Sequence, residues 1–387
     1  MSRNFALLFI SNIFNSFAFY LLVPTLPLYF LSDLKLSFQE IGYAISSFSI
    51  SVILFRPFAG YLVDRFRRTT LLRLTLVAIA LTYLLYPRIH TFLGIVAIRI
   101  FHGMLFGISS SVLSAVAADL GGDRIGQAIA LYSLTIPLGM MGGSFLGLTI
   151  LKSSGAEIMF LFTFLVSLIP LTLSFFLSSP SEDSKKGRFF SLAHLISLDA
   201  LPFSVSMIFP MMVYGSINTF AAIHAEQVGF GSCEIFFFLF CLSLILSRLF
   251  MGKLFDSGMI KTLVLGGLFL ILLGTLTLSF SHGIFSFSIS GILSGAGFGI
   301  LMPTCQAAIN AISRPNERGS ANSTYFLSYD LGIGLSSFIV GHLLDTATVA
   351  EVYRIFSFII PFAAIPFFLF ALPRFHMKKG IAKLQTI

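Results

Sequence analysis

Arg56-Pro57-Phe58-Ala59-Gly60-Tyr61-Leu62-Val63-Asp64-Arg65-Phe66-Arg67-Arg68 closes an apolar run and opens a basic cluster. Most of it returns 192 positions later as Arg248-Leu249-Phe250-Met251-Gly252-Lys253-Leu254-Phe255-Asp256, with Arg, Phe, Gly, Leu and Asp in register. A second pair keeps the same offset: Gly103-Met104-Leu105-Phe106-Gly107-Ile108 and Gly295-Ala296-Gly297-Phe298-Gly299-Ile300. Two matches at one spacing in a chain of 387 residues indicate a duplicated half.

Composition places that repeat in a bilayer. The chain is 56% hydrophobic and 10% charged, whereas soluble domains carry about 25% charged residues. The net charge of +8 sits in short connections and not on one soluble face, so no nucleic-acid partner is expected. Cys233, Cys241 and Cys305 lack metal-type spacing, and neither a disulfide framework, a metal nor a cofactor is expected. The first apolar run continues through Pro24 and Pro27, too long for a cleavable signal.

A bilayer core of about 30 Å needs roughly 20 apolar helical residues. Twelve such spans are expected, at approximately 5–31, 40–63, 70–87, 92–119, 127–151, 158–179, 200–227, 233–255, 262–280, 284–312, 320–344 and 352–372. Lipid cannot satisfy backbone groups, and these runs are too long for barrel strands, so the spans are helices. The fold class is therefore an all-α membrane protein of two six-helix repeats. Residues 1–179 form the first bundle, 180–198 a linker, and 199–387 the second bundle with a short tail. Phe189, Phe190, Leu192 and Leu195 suggest a brief interfacial helix in that linker.

Lys and Arg set the orientation. Arg3, Arg65, Arg67, Arg68, Arg73, Arg124, Lys185, Lys186, Arg188, Lys253, Lys261, Arg314, Arg318, Arg374, Lys378, Lys379 and Lys383 fall on one side. Only Lys35, Arg88, Lys152 and Arg354 fall on the other, so both termini are expected in the cytoplasm. Arg56, Arg99 and Arg248 remain inside spans. Arg56 and Arg248 are expected to snorkel toward the basic face, and His224 and Glu226 to be solvated at the far end of span seven.

Twelve helices as six plus six, with Gly60-x-Leu62-x-Asp64-Arg65-x-x-Arg68 between spans two and three, resemble the major facilitator superfamily. Arg67 stands where the family's loop signature has a second Gly. Arg99-Ile100-Phe101-His102-Gly103 is similar to the span-four signature Arg-x-x-Gln-Gly, with His for Gln. Gly139-Met140-Met141-Gly142-Gly143-Ser144-Phe145-Leu146-Gly147 is similar to the glycine-rich span-five stretch of drug/proton antiporters, with Gly143 where that stretch has Pro. Asp330-Leu331-Gly332 also looks like the exporter branch.

The resemblance implies a secondary transporter and not an enzyme. Asp330 lies near the bilayer midplane, where a charge costs about 2.5–3.5 kcal/mol on insertion scales. It is the first candidate for proton coupling, with a fixed inter-helix contact as the alternative. Arg99 stays protonated and would tune a neighbour or hold an anion, and His102, which titrates near neutrality when unperturbed, joins it on one helix face. Gly60, Asp64, Arg65, Arg68, Asp119 and Arg124 are the expected gate on the cytoplasmic side. Spans one, four, seven and ten line the cavity in this family. That gives Asn12, Asn15, Phe19, Phe106, Tyr214, Asn218, Gln306 and Asn310 as candidate linings. Gly139, Gly142, Gly143 and Gly147 would permit close helix approach and lend flexibility.

The expected function is proton-coupled export of a small amphipathic drug or metabolite, with a symporter or uniporter importing a nutrient as the alternative. The expected partners are that solute, protons and the lipid bilayer. The expected state is a monomer in a bacterial inner membrane. No catalytic or phosphate-binding motif appears.

Overall fold

The computed structural model describes residues 3–121, 125–178, 196–231, 233–314 and 318–384, with the side chains of Pro57, Asp64, Gly319 and a few positions beside Arg124 and in the C-terminal tail outside that description. The linker segment with Phe189, Phe190, Leu192 and Leu195 also lies outside the described residues. The chain divides into two compact units, Met1–Phe190 and Ser191–Ile387.

In the first unit, α1 (Arg3–Leu22) and α2 (Thr25–Ser32) make one span broken at Val23-Pro24, followed by α3 (Phe38–Arg65), α4 (Arg68–Leu85), α5 (Phe92–Gly121) and α6 (Ile125–Phe175). The second unit holds α7 (Leu201–Gln227), α8 (Cys233–Asp256), α9 (Ile260–Ser279), α10 (Ile284–Ile312) and α11 (Arg318–Leu343). Its last span starts as α12 (Val349–Ile359), passes α13 (Ala364–Pro366) and ends as α14 (Leu372–Leu384). Ser37 with Glu40, and Thr348 with Glu351, start α3 and α12 by reciprocal capping of otherwise orphaned amides.

Eleven stretches among the described residues are long and apolar enough to cross a membrane. One of them, α6, is two crossings. Its 51 residues are helical except at Gly155, whose φ of 83° and ψ of 173° turn the backbone out of the helical region. The two arms run in opposite directions along α1. Asn12 meets Thr135 on the first arm, while Ser11 reaches Pro170 and Thr25 reaches Met159 on the second. Spans five and six are therefore joined by a turn and no loop. The twelfth span departs from the single helix expected: it tightens to 3₁₀ at Ile360–Ala363 and widens to π at Phe367–Ala371. Pro361 and Pro366 supply no amide there, so the ladder re-registers around them.

The repeat seen in the sequence is a repeat of packing. Lipid gives helices no hydrophobic reason to associate, so close backbone approach matters more. Gly103 of α5 lies against the Phe48 carbonyl of α3, and Gly107 against that of Val52. Gly295 of α10 lies against the Phe240 carbonyl of α8, and Gly299 against that of Leu244. All four partners are related by the same 192-residue offset. In the first unit a buried cluster, including Leu8, Ala59, Val63, Leu72, Val112 and Val116, packs beneath the Gly60–Arg68 stretch and holds its flanking helices together.

Candidate functional site

Within the first unit, Arg99 and His102 project from α5 into protein. Arg99 is 6% exposed. Its Nε donates to the Ala44 carbonyl at 3.2 Å, and its guanidinium lies 4.4 Å from the Phe48 ring centroid. This inward seat, with a carbonyl and an aromatic face as partners, suits a cation that cannot shed its charge. His102 is 1% exposed and pairs through Nδ1 with the Tyr86 hydroxyl at 3.1 Å. Phe19, Phe48, Tyr83 and Tyr86 surround the imidazole edge-on. Its Nε2 is buried without a hydrogen-bond partner among the described residues.

Around this pair the structure gathers several other candidates. Phe19 and Phe106 stack with centroids 4.6 Å apart, and both rest on Phe48. Asn15, one turn before Phe19, is half-buried. Asn12 is buried, and its amide donates to Thr135 Oγ1 at 2.5 Å, so it ties α1 to the first arm of α6. Phe48, Tyr83, Tyr86 and Thr135 were not among the residues singled out from the sequence. A ring-rich end of span three signals only packing until α5 is seen beside it.

At the basic end of this unit, Arg68 at the start of α4 forms an ion pair with Asp119 near the end of α5. Arg65 is exposed and contacts the Tyr61 hydroxyl from the same helix. Gly60 faces open space, with nothing within 4 Å of where a Cβ would lie. Arg124 and the side chain of Asp64 lie outside the described residues.

In the second unit, Asp330 sits half-buried near the middle of α11, about 18 Å along the helix from Arg318. Tyr329 precedes it and shares a hydrogen bond of 2.8 Å with Tyr325, whose hydroxyl donates to the Met302 carbonyl at 2.6 Å. Arg248 points toward the same place, its Nη2 3.8 Å from Met302 Sδ. This corrects the snorkelling expected for Arg248: the side chain turns inward toward α10. His224 is a second correction. It is buried, with Nε2 3.0 Å from the Leu278 carbonyl and its ring against Phe287 and Tyr353. A lone polar residue at a span end does not reveal which way it faces.

Tyr214 is buried edge-on to Phe298. Asn218 is buried one turn later, donating to the Tyr214 carbonyl at 2.7 Å. Gln306 and Asn310 join a small amide network through Asn322 of α11. Gln306 donates to Asn322 Oδ1 at 3.1 Å, and Asn322 donates to Asn310 Oδ1 at 2.7 Å. Asn322 was missed, although an amide inside an apolar run was a visible signal. Asp199 was also missed. It sits just before α7 and receives Arg374 at 2.7 Å and Lys378 at 3.0 Å. Burial alone would raise its pKa; hydrogen bonds from Arg374 and then Lys378 outweigh that and hold it below the ordinary carboxylate value.

The span-five glycines form a contact stripe. Gly139 faces the Ile13 carbonyl, Gly142 the Phe17 ring, Gly143 the Phe17 carbonyl and Gly147 the Leu21 carbonyl. In this structure they let α1 and the first arm of α6 meet backbone to backbone. Within the second unit, Gly215 of α7 meets Ile333, and Gly332 of α11 meets Ile208 and Met211.

The sequence model of the Major Facilitator Superfamily matches residues 8–280 and 237–383. The staphylopine export protein of Staphylococcus aureus is 22% identical over 347 residues, covering 85% of this chain and 86% of that protein. Quinolone resistance protein NorA, from the same species, is 22% identical over 350 residues, covering 86% of this chain and 88% of its own. Among solved structures, nucleoside transporter NupG superposes with a TM-score of 0.76 at 15% identity, covering 95% of this chain and 98% of that one. That likeness shows the fold. With both halves matched and the helices in the order described, the chain belongs to the Major Facilitator Superfamily, as a multi-pass membrane transporter of small molecules and not an enzyme.

Proposed function

We propose that this chain is a proton-coupled exporter, an antiporter that moves a small amphipathic drug or metabolite out of the cell by alternating access. The observation that carries the reading is the near end-to-end match to two proteins named for export or for drug resistance. Asp330 supplies the coupling chemistry. A half-buried carboxylate midway along a spanning helix can take a proton from one side and release it to the other when its surroundings change. Arg99 and His102 contribute a fixed cation and a titratable ring to the same cycle, and the Phe19–Phe106 stack with Asn15 offers solute a mixed aromatic and amide surface. Tyr214, Asn218, Gln306 and Asn310 are the matching lining from the second half.

The two halves, 1–179 and 199–387 with 180–198 as linker, rock about the site. Gly60, Asp64, Arg65, Arg68, Asp119 and Arg124 form the gate on the cytoplasmic side, and Gly139, Gly142, Gly143 and Gly147 give span five its freedom to move against α1. The working form is a monomer in a bacterial inner membrane with both termini in the cytoplasm.

Proteoliposomes with a pH-sensitive dye inside, challenged with drugs and metabolites under an imposed gradient, test this reading. Substrate addition is expected to collapse the gradient with wild type and not with Asp330→Asn, while solute counterflow survives in the variant. Solute movement without proton flux would support a uniporter instead, and proton-driven accumulation by Asp330→Asn would remove Asp330 from coupling.

A further inference from the structure

Outside the candidate transport site, the second unit carries a groove of about 460 Å³ between the start of α7 and the end of the last span. That volume lies in the range of about 300–1,000 Å³ that holds small ligands. Leu201, Pro202 and Val205 form one wall, and Leu369, Phe370 and Pro373 the other, with Arg374 at one end. The walls are apolar and exposed: Phe370 is 61% and Leu369 62% accessible. The groove exists because the last span is irregular where it passes α7. The π-helical turn Phe367–Ala371 and Pro366 and Pro373 on either side of it stop that helix from closing on Leu201 and Val205.

Three facts define the occupant. First, the walls belong to two membrane-spanning stretches, so the groove opens on lipid. Second, its far walls run from Pro366 to Met377, about 16 Å at helical rise, close to half the roughly 30 Å hydrocarbon core. That is the depth of one leaflet, and hence of one acyl chain. Third, the end is positive. Arg374 and Lys378 both bind Asp199, which cancels one of their two charges and leaves one. About a third of each cation's side chain stays open: Arg374 is 35% and Lys378 34% accessible, room enough for a second acceptor.

We infer that this groove is a binding site for an anionic phospholipid, with one acyl chain against Val205 and Phe370 and the phosphodiester on Arg374 and Lys378. A zwitterionic headgroup would bring its own cation to an already positive rim. The anionic lipid gains from the uncancelled charge, about fivefold in binding constant at about 1 kcal/mol per basic residue.

The test is native mass spectrometry of the full-length protein, delipidated and titrated with dioleoyl phosphatidylglycerol or dioleoyl phosphatidylcholine. A single phosphatidylglycerol should be retained about fivefold more strongly than phosphatidylcholine. Val205→Trp fills the groove from a lipid-facing position without touching the ion pairs, and it should remove that retained lipid. Arg374→Gln should abolish the preference for phosphatidylglycerol, and Arg374→Lys should keep it. Equal retention of the two lipids, or a preference unchanged in Val205→Trp, would overturn the proposal. So would inorganic phosphate displacing the lipid at equal concentration, since that would make the site a phosphate site with no use for the groove.

Discussion

Asp199 shows how a single carboxylate can be structural where a transporter invites a functional reading. Its two cations come from the far end of the same unit, and they fasten the last span to the start of α7. Because its pKa is lowered in the folded state, the stabilisation is fully present above the unfolded value near 3.8. It is lost as pH falls below that value through the folded one. Asp199→Asn is expected to lower stability by about 0.5–1 kcal/mol, the modest range for partly exposed pairs. The loss should be constant from neutral pH down to about pH 5 and vanish in stronger acid. Thermal melts of wild type and variant across that pH series check it; a difference that grows as pH falls would show that the pair does something else. Arg99 and Arg248 carry the lesson about legibility at this scale. Their presence inside spans was plain from the sequence, but the direction in which each points depends on Ala44, Phe48 and Met302, which lie far away along the chain.

Helices were legible from apolar length alone, and their irregularities were legible only where Gly or Pro marked them. The junction of spans five and six was expected as a connection between 151 and 158, and Gly155 falls inside it. What apolar length cannot show is that the helices need no loop there. Nor can it show which face of each helix is tight, and the glycines let that be tested. A Cβ at Gly143 would collide with the Phe17 carbonyl of α1. Gly143→Ala should therefore cost about 1–3 kcal/mol as overpacking, read as a lowered melting temperature. Gly60→Ala meets nothing within 4 Å and gains helix propensity worth up to about 1 kcal/mol. It should leave the melt unchanged or raise it slightly. If Gly60 serves the gate, its transport rate falls all the same; unchanged transport in a well-folded Gly60→Ala protein would take Gly60 out of the gate. Gly103→Ala and Gly295→Ala make a matched pair, because each places a methyl against the equivalent carbonyl of α3 or α8. Both should destabilise.

For the whole molecule, the repeat decided the architecture and the family match supports it over both halves. The site was less legible than the fold. Hydrogen-bond partners such as Tyr86, Thr135 and Asn322 come from other helices, and no spacing rule connects them. The proposed gate would act within the transport cycle, so it is tested by kinetics and not by stability. Asp64→Asn should slow turnover about tenfold, equivalent to about 1.4 kcal/mol on the barrier, while equilibrium binding of solute stays within a factor of two or so. A variant with normal turnover and weakened binding would place Asp64 in solute recognition instead.

The turn at Gly155 also bears on biogenesis. With the two arms of α6 joined by a single left-handed residue, span five and span six are separated only by the short polar segment Lys152-Ser153-Ser154-Gly155-Ala156-Glu157 and by no loop. The nascent chain therefore offers the insertion machinery a hairpin, not two helices in succession. Spans five and six should enter the bilayer in one step, and a soluble domain spliced in at residue 155 would set them in the membrane separately.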